Sequence, residues 1–395
     1  MNICFIVPCD LATDNGGKTH TVELAENWQG FGHKVVIFPK GWRREGELRD
    51  LRYIKVPYIP VKGFYEVSFS LSSLVLIVIY HLRFKFNVIY ERKMLISLSV
   101  LAGKLLKIPV IVELNDIPYS IDIDRVLQEE NRVWKRTLLK VAQSILHLDV
   151  WLTSKLSTKI ITTAQLKLPH IEKRKISSIP FGANITLFKP LNKMECRKNL
   201  NYPEEGRIIC FVGSFLPWQG IEYIVEAMPK ILDEFPNTLL ILIGDHEPRM
   251  QASRELKEKI MNMVKTLDLS KNLIFVGRVP YEEVPAYINA SDVCIVTQSK
   301  SRSGFSPLKL FEYMACGKPV VASDIEGVRE IVKESGGGLL VEAENSAELA
   351  QAILRLLKDE GLMKQMGENG LRCVTEKYSW ENTARKALEV MQESY

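Results

Sequence analysis

Short β-branched runs alternate with segments of helical periodicity from one end of the chain to the other. Apolar runs bounded by Gly, Pro, Asn and Asp read as buried strands. They fall at 3–7, 35–38, 88–90, 110–113, 160–163 and 176–179, then at 208–212, 239–243, 274–276, 293–296, 320–322 and 339–341. This alternation builds parallel sheets from βαβ units, so the expected class is α/β. The segment PFGANITLFKPLNK at 180–193 has the Pro, Gly and Asn content of a linker, and strand periodicity restarts after it. Two doubly wound domains follow, 1–185 and 186–379. The stretch 346–392 reads as helical almost throughout, with Gly361, Gly367 and Gly370 as the expected breaks. There is no solenoid-length repeat and no low-complexity tract.

The bulk numbers agree with two cores. A chain of 395 residues exceeds the roughly 250 to 300 at which a single core stops growing. Apolar residues at 46% and charged residues at 25% are ordinary for a globular protein. Seven scattered cysteines, an odd number without a C-x-x-C pair, argue against a disulfide framework and a thiolate zinc site. A reducing compartment fits this usage. The opening MNICFIVPCD has no basic n-region and no small-residue cleavage site, so it reads as a first strand and the expected location is cytoplasmic.

The net charge of +5 hides an asymmetry: residues 1–190 hold 27 Lys and Arg against 17 Asp and Glu, whereas 191–395 hold 25 against 30. Within the basic half, the apolar stretch 64–82 carries Glu66 near its start and is interrupted by Ser68, Ser70, Ser72 and Ser73. Only 74–80 is unbroken, which reads as too short to span a bilayer. Flanked by His81, Arg83 and Lys85, the stretch has two readings. One is a peripheral contact with anionic lipid at the inner face of the membrane, where each nearby cation contributes about 1 kcal/mol. The other is a buried helix with a solvated basic face. Basic residues are dispersed and no RNA- or DNA-binding module appears, so no nucleic-acid partner is expected.

In open α/β sheets ligands bind beyond the carboxyl ends of the strands, so the loops after the strands are where chemistry is expected. After the first strand, DNGGKTHTVELAENW puts Gly16 and Gly17 directly before an amphipathic helix with Val22, Ala25 and Trp28 on one side. Such glycines let amides approach an anion at a helix N-terminus, or they supply a turn that needs positive φ. At the start of the second half, GSFLPWQG repeats the glycine-loop-to-helix pattern with Gly213, Ser214, Trp218, Gln219 and Gly220, and IGDHEP takes Gly244 and Asp245 out of the next strand. The block at 303–332 is the most informative: Pro307 suits the first turn of a helix, and Lys309 and Glu312 share one face of it. Lysine and carboxylate there suit a diphosphate and two sugar hydroxyls, or form a surface salt bridge.

The ordered set NGGKTH, IPFGAN, GSFLPWQG, IGDHEP, FVGRVPYEEV, the 303–332 block and the terminal YSWE resembles glycosyltransferase family 4 across nearly the whole chain. The resemblance implies a GT-B architecture, two Rossmann-like domains facing across a cleft, and transfer of a sugar from a nucleotide-diphosphate sugar with retention of configuration. The acceptor it implies is a glycan or lipid-linked molecule of cell-surface polysaccharide or glycolipid synthesis. Neither a cofactor nor a metal is expected, the nucleotide sugar being a co-substrate. Gly16 and Gly17 correspond to positions beside the diphosphate. Gly277, Arg278 and Val279 lie beside the nucleobase in this correspondence, and Glu312 matches the second glutamate of the family's E-x7-E motif, on the ribose. The backbone from Ser306 through Pro307 and Leu308 to Lys309 faces the phosphates in this correspondence, with Phe305 also on the donor side. Asn115 and Asp116 match a loop near the reacting sugar, with His20 and Glu113 on the acceptor side, and helix 380–395 returns to the first domain.

Three departures from the family pattern matter. Ser214 and Gln219 stand where the family has an arginine and a lysine on the diphosphate, and Gly304 replaces the first glutamate. Charge-assisted bonds contribute about 1.5 to 3 kcal/mol each, so two uncompensated losses would weaken donor binding by roughly 3 to 6 kcal/mol. Lys309 is the expected replacement, helped by Lys18, Arg278 and Arg302. Two rivals differ in outcome: an epimerase or hydrolase acts on the nucleotide sugar without an acceptor, and a non-catalytic subunit binds it without turnover.

Overall fold

The computed structural model describes residues 1–12, 16–41, 51–61, 64–93, 96–114, 133–163, 171–248, 250–300 and 307–395, excluding the side chains at 133, 134, 138, 139 and 142. The chain forms two compact units, one of Met1–Pro180 with Thr383–Tyr395 and one of Phe181–Asn382.

The first unit holds strands β1 (Asn2–Asp10), β2 (Lys34–Gly41), β3 (Arg52–Tyr53), β4 (Val88–Lys93), β5 (Val110–Leu114), β6 (Lys159–Thr162) and β7 (Ile176–Ser178). They form one parallel sheet in the order β3-β2-β1-β4-β5-β6-β7. The order reverses direction between β1 and β4, the switch point of a doubly wound sheet. The helices are α1 (Gly16–Gly30), α2 (Tyr65–Phe84), α3 (Ser99–Leu106) and α4 (Val133–Leu156).

All six strands expected in this half are present, and the periodicity misses only the two-residue β3. β4 runs on through Glu91, Arg92 and Lys93 because buried partners satisfy two of these charges. Ser97 and Ser99 donate their hydroxyls to Glu91. Lys93 donates to Asp149 and to Thr153 Oγ1, the latter at 2.6 Å, which fixes α4 to the end of β4.

Two helices differ from expectation. Gly16 and Gly17 are the first residues of α1 itself, not a loop before it, and the buried face carries Thr21, Leu24, Ala25 and Trp28, with Val22 half-buried. Ring contacts of Trp28 with Phe5 and Tyr90 seat this face on the sheet. The serines do not interrupt α2. It is continuous for twenty residues, long and apolar enough to cross a membrane by length and composition. It is nevertheless a layer helix, because Phe69 and Ile77 on its inner face belong to the core against the sheet.

The second unit holds β8 (Arg207–Val212), β9 (Thr238–Ile243), β10 (Leu273–Gly277), β11 (Val293–Val296), β12 (Val320–Ser323) and β13 (Gly338–Val341), all six expected. Their order, β10-β9-β8-β11-β12-β13, is parallel throughout, with its switch point between β8 and β11. Its helices are α5 (Lys193–Asn199), α6 (Ile221–Leu232), α7 (Gln251–Thr266), α8 (Val284–Ala290), α9 (Leu308–Ala315), α10 (Arg329–Ser335), α11 (Ser346–Lys358), α12 (Glu360–Lys377) and the start of α13 (Trp380–Gln392).

The tail breaks at Asp359 and at Tyr378–Ser379. Gly367 and Gly370 lie inside α12 and serve close packing: a Cβ at Gly367 would come 2.2 Å from the carbonyl oxygen of Gly317. From Thr383 onward α13 belongs to the first unit, where Ala384 O accepts the Trp28 indole N–H at 2.9 Å. From Phe181 on, the expected linker residues belong to the second unit, with Ala183 N donating to Tyr378 O at 2.8 Å.

Candidate functional site

In the second unit the three neighbouring strands β8, β9 and β10 run out into glycine at their carboxyl ends, Gly213, Gly244 and Gly277, with φ of 149°, 119° and 83°. These are conformations that only glycine adopts without strain. The backbone is also too close for a side chain: a Cβ at Gly244 would lie 2.1 Å from the Gly213 carbonyl oxygen. Gly244 N donates to Gly277 O at 2.7 Å and Gly213 N to Ile243 O at 2.9 Å, so the strand ends knit into one floor.

The loop after β8 passes through a 3-10 turn, Pro217–Gln219, and enters α6 at Gly220. The loop after β11 holds that turn in place, Thr297 Oγ1 donating to Gln219 O at 2.8 Å and Ser299 N to Trp218 O at 3.0 Å. These two loops border the switch point, where a doubly wound sheet takes its ligand.

Helix α9 brings Lys309 to the same place. Pro307 is the extended residue before its first turn, not a member of it, and leaves Leu308 to open the helix. The Lys309 ammonium donates to Gln219 Oε1 at 2.8 Å and lies 3.9 Å from the centroid of the Phe211 ring. A Cβ on Gly213 would come 2.8 Å from Nζ, so the glycine makes room for the cation. Burial pulls the Lys309 amine from 10.5 down to about 7, against the opposing pull of Glu312. Keeping it charged costs roughly 5 kcal/mol relative to water, part of which an arriving anion would offset. Tyr313, one turn further, accepts from Val212 N at 2.7 Å and locks α9 under β8.

The remaining expected residues divide by what they touch. Glu312 is buried, and its Oε1 accepts from the Tyr281 hydroxyl at 3.0 Å. Lys309 and Glu312 therefore do not form a surface salt bridge. Ser214 Oγ donates to Glu247 Oε1 at 3.1 Å, and the same oxygen accepts Arg278 Nη2 at 2.8 Å. Asp245 accepts from Lys257 at 2.7 Å and its carboxylate lies 2.8 Å from His246 Nδ1. Burial would raise its carboxyl, but these hydrogen bonds outweigh it and hold it at about 2. Val279 is half-buried beside Arg278.

Each position lacking an expected cation is thus hydrogen-bonded to a group that carries or holds one: Gln219 to Lys309, and Ser214 through Glu247 to Arg278. Phe211, Tyr281, Glu247 and Tyr313 were not among the expected site residues. Tyr281, Glu247 and Tyr313 lie inside quoted motifs and Phe211 just before one, but nothing in spacing alone singles them out.

In the first unit, His20 from α1 places Nε2 2.8 Å from Glu113 Oε1 at the end of β5, and Tyr90 donates its hydroxyl to Glu113 Oε2 at 2.6 Å. Burial alone would raise the Glu113 carboxyl, yet His20, Arg92 and Tyr90 outweigh it and hold it below the usual range. Burial also pushes the His20 imidazole down, against the pull of Glu113. Both shifts favour a carboxylate beside an uncharged imidazole. Gly16 and Gly17 begin α1 close in sequence to His20, and Gly17 O accepts from Thr21 Oγ1 at 2.8 Å. Asn115, Asp116, Phe305, Ser306, Gly304 and Arg302 lie outside the described residues. Among the described residues no three His, Cys, Asp or Glu side chains are grouped as metal ligands would be.

The family-model match falls on this second unit. Residues 192–372 match the model of the family glycosyl transferases group 1. An uncharacterized glycosyltransferase of Methanocaldococcus jannaschii is 29% identical over 198 residues, 50% of this chain and 48% of that one. D-inositol 3-phosphate glycosyltransferase of Acidothermus cellulolyticus is 29% identical over 227 residues, 56% of this chain and 49% of that one. The chain spans about half the length of the curated relatives it matches.

Likeness in fold reaches further. Sucrose-phosphate synthase of Thermosynechococcus elongatus superposes with a TM-score of 0.79 at 23% identity, covering 99% of this chain and 98% of that one. HepE of Anabaena, solved with UDP-glucose, gives 0.77 at 17% identity over the whole of both chains. The two Rossmann-like units are those of GT-B glycosyltransferases.

Proposed function

We propose that this chain is a glycosyltransferase that moves a sugar from a nucleotide-diphosphate sugar to a glycan or lipid-linked acceptor in cell-surface polysaccharide or glycolipid synthesis. The observation that carries the reading is the buried Lys309 ammonium at the switch point of the second unit, beside Gly213 at the end of β8 and on the first turn of α9. A diphosphate there would accept hydrogen bonds from Lys309 and from the amides that open α9, the arrangement suited to charge building on a departing phosphate. The ribose would meet Glu312, oriented by Tyr281, and the base would meet the backbone of Gly277, Arg278 and Val279.

In this reading the acceptor hydroxyl attacks on the face from which the nucleoside diphosphate leaves, so configuration is retained and neither a protein nucleophile nor a metal takes part. Asn115 and Asp116 serve the reacting sugar. Glu113, buried and hydrogen-bonded, positions His20 on the acceptor side and does not touch the acceptor itself. The place of work is the cytoplasm, at the inner face of the membrane.

The test is nucleoside diphosphate release from UDP-, GDP- and ADP-sugars, with and without membrane extract. Release that needs extract and fails in Lys309→Ala and Glu312→Ala supports transfer. Release without extract points to an epimerase or hydrolase, and binding without release to a non-catalytic subunit; either would sink the proposal.

A further inference from the structure

Helices α2, α3 and α4 form one layer on the first unit's sheet, α3 packing between the other two. The outer side of this layer is apolar where a solvated layer would be polar. On α2, Phe64, Leu71, Val75, Ile79 and Leu82 recur at helical spacing on one face and are 50% to 71% exposed. On α4, Val141, Ile145, Leu148 and Trp151 do the same at 44% to 56%, and Leu105 on α3 between them is 67% exposed. The inner faces are committed to the core, Phe69 and Ile77 on α2 and the Asp149–Lys93 pair on α4. The orientation of both stripes is therefore fixed by the fold. Contiguous apolar surface of this extent marks an interaction site.

Charge decides the occupant. Arg83, Lys85, Lys104, Lys107, Arg136 and Lys140 are exposed on these helices and their caps. The helices carry two carboxylates: Asp149 is buried on Lys93, and Glu66 accepts the Tyr65 hydroxyl. A second copy of the same face would bring cations against cations. A bilayer surface with anionic headgroups offers hydrocarbon for the stripes and negative charge for the rim, each nearby cation favouring the bound state.

We infer that the α2–α3–α4 face of the first unit is a docking surface for an anionic lipid bilayer, with α2 and α4 lying in the interface and neither crossing it. It rests on this surface and not on the donor site, and it deepens the transferase reading by bringing the acceptor domain to where a lipid-linked acceptor is held.

The experiment is co-sedimentation of the full chain, without nucleotide sugar, with vesicles of phosphatidylcholine alone and of phosphatidylcholine mixed with phosphatidylglycerol. Binding to the mixed vesicles is expected, about tenfold or more above the neutral ones, and falling as salt is raised. Val75→Glu and Leu148→Glu, both at exposed positions, should each weaken it about tenfold with the unfolding midpoint unchanged. No preference for the mixed vesicles, or full binding by Leu148→Glu, overturns the inference. So does a lipid-free dimer that these substitutions dissociate. Nucleotide-sugar binding measured on the same samples separates the two readings: intact donor binding without vesicle binding defeats only the docking surface, and the reverse defeats only the transferase.

Discussion

If Lys309 receives the donor diphosphate, its proton must come with the ligand. Burial holds the amine at about 7 in the free protein, so above neutrality the resting site is largely uncharged. A charge-assisted hydrogen bond to phosphate contributes about 1.5 to 3 kcal/mol. The lysine in the complex should then titrate roughly one to two pH units higher, near 8 to 9. Because the bound form is the charged form, affinity is full below pH 7. It falls as pH rises through the window between the free and bound values, by about ten- to a hundredfold in all. The assay is calorimetric titration from pH 7 to 9 with the tightest binder among UDP-glucose, GDP-mannose and ADP-glucose. Their diphosphate diesters do not titrate there, and the window lies above the ordinary histidine range. Repeating it in buffers of different ionisation heat should reveal proton uptake on binding. Lys309→Met should bind at the weak limit with a flat profile. A flat profile for the parent chain, or an unchanged slope in Lys309→Met, would refute the reasoning.

Other substitutions test neighbouring parts of the account. Arg278→Ala removes the cation that reaches Ser214 through Glu247 and should weaken donor binding about tenfold or more, read by the same titration. Tyr281→Phe removes one hydrogen bond to Glu312. It should raise the KM for donor about three- to tenfold with kcat little changed, read by initial rates. Glu113→Gln takes the charge from an acceptor that faces both buried His20 and the Tyr90 hydroxyl and should cost about 1 to 3 kcal/mol of stability, read by urea unfolding. Glu113 titrates below its ordinary value when folded. Its contribution is therefore present above the unfolded pKa and lost as pH falls through the folded one, and the gap between parent and variant should narrow in acid.

Much of the fold is legible in the order of residues, for a physical reason. Strands buried on both faces must be runs such as IICFV or LLILI, and twelve of the thirteen described strands advertise themselves so. β3 is too short to carry a pattern. The charged end of β4 hides because Ser97, Ser99 and Asp149, distant or polar in sequence, satisfy it. Gly367 and Gly370 mislead because a glycine required for close helix contact looks the same in sequence as one that ends a helix.

At the site, Lys309 and Glu312 stand out through their place at a helix start. Arg278, expected beside the nucleobase and as a helper to Lys309, acquires its link to Ser214 through Glu247, a carboxylate that no spacing rule connects to either. The second apolar stripe, on α4, escapes notice beside the longer run of α2, because an amphipathic helix reads as a core helix until its outer face is known.

The central claim is that sugar leaves the nucleotide and arrives on another molecule. The direct measurement follows isotope-labelled sugar from the nucleotide sugar that binds, with membrane extract present. The account predicts label in lipid-extractable or polymeric glycan, matched by nucleoside diphosphate released and absent with Lys309→Met. Label recovered as free sugar, or still on the nucleotide, would contradict it.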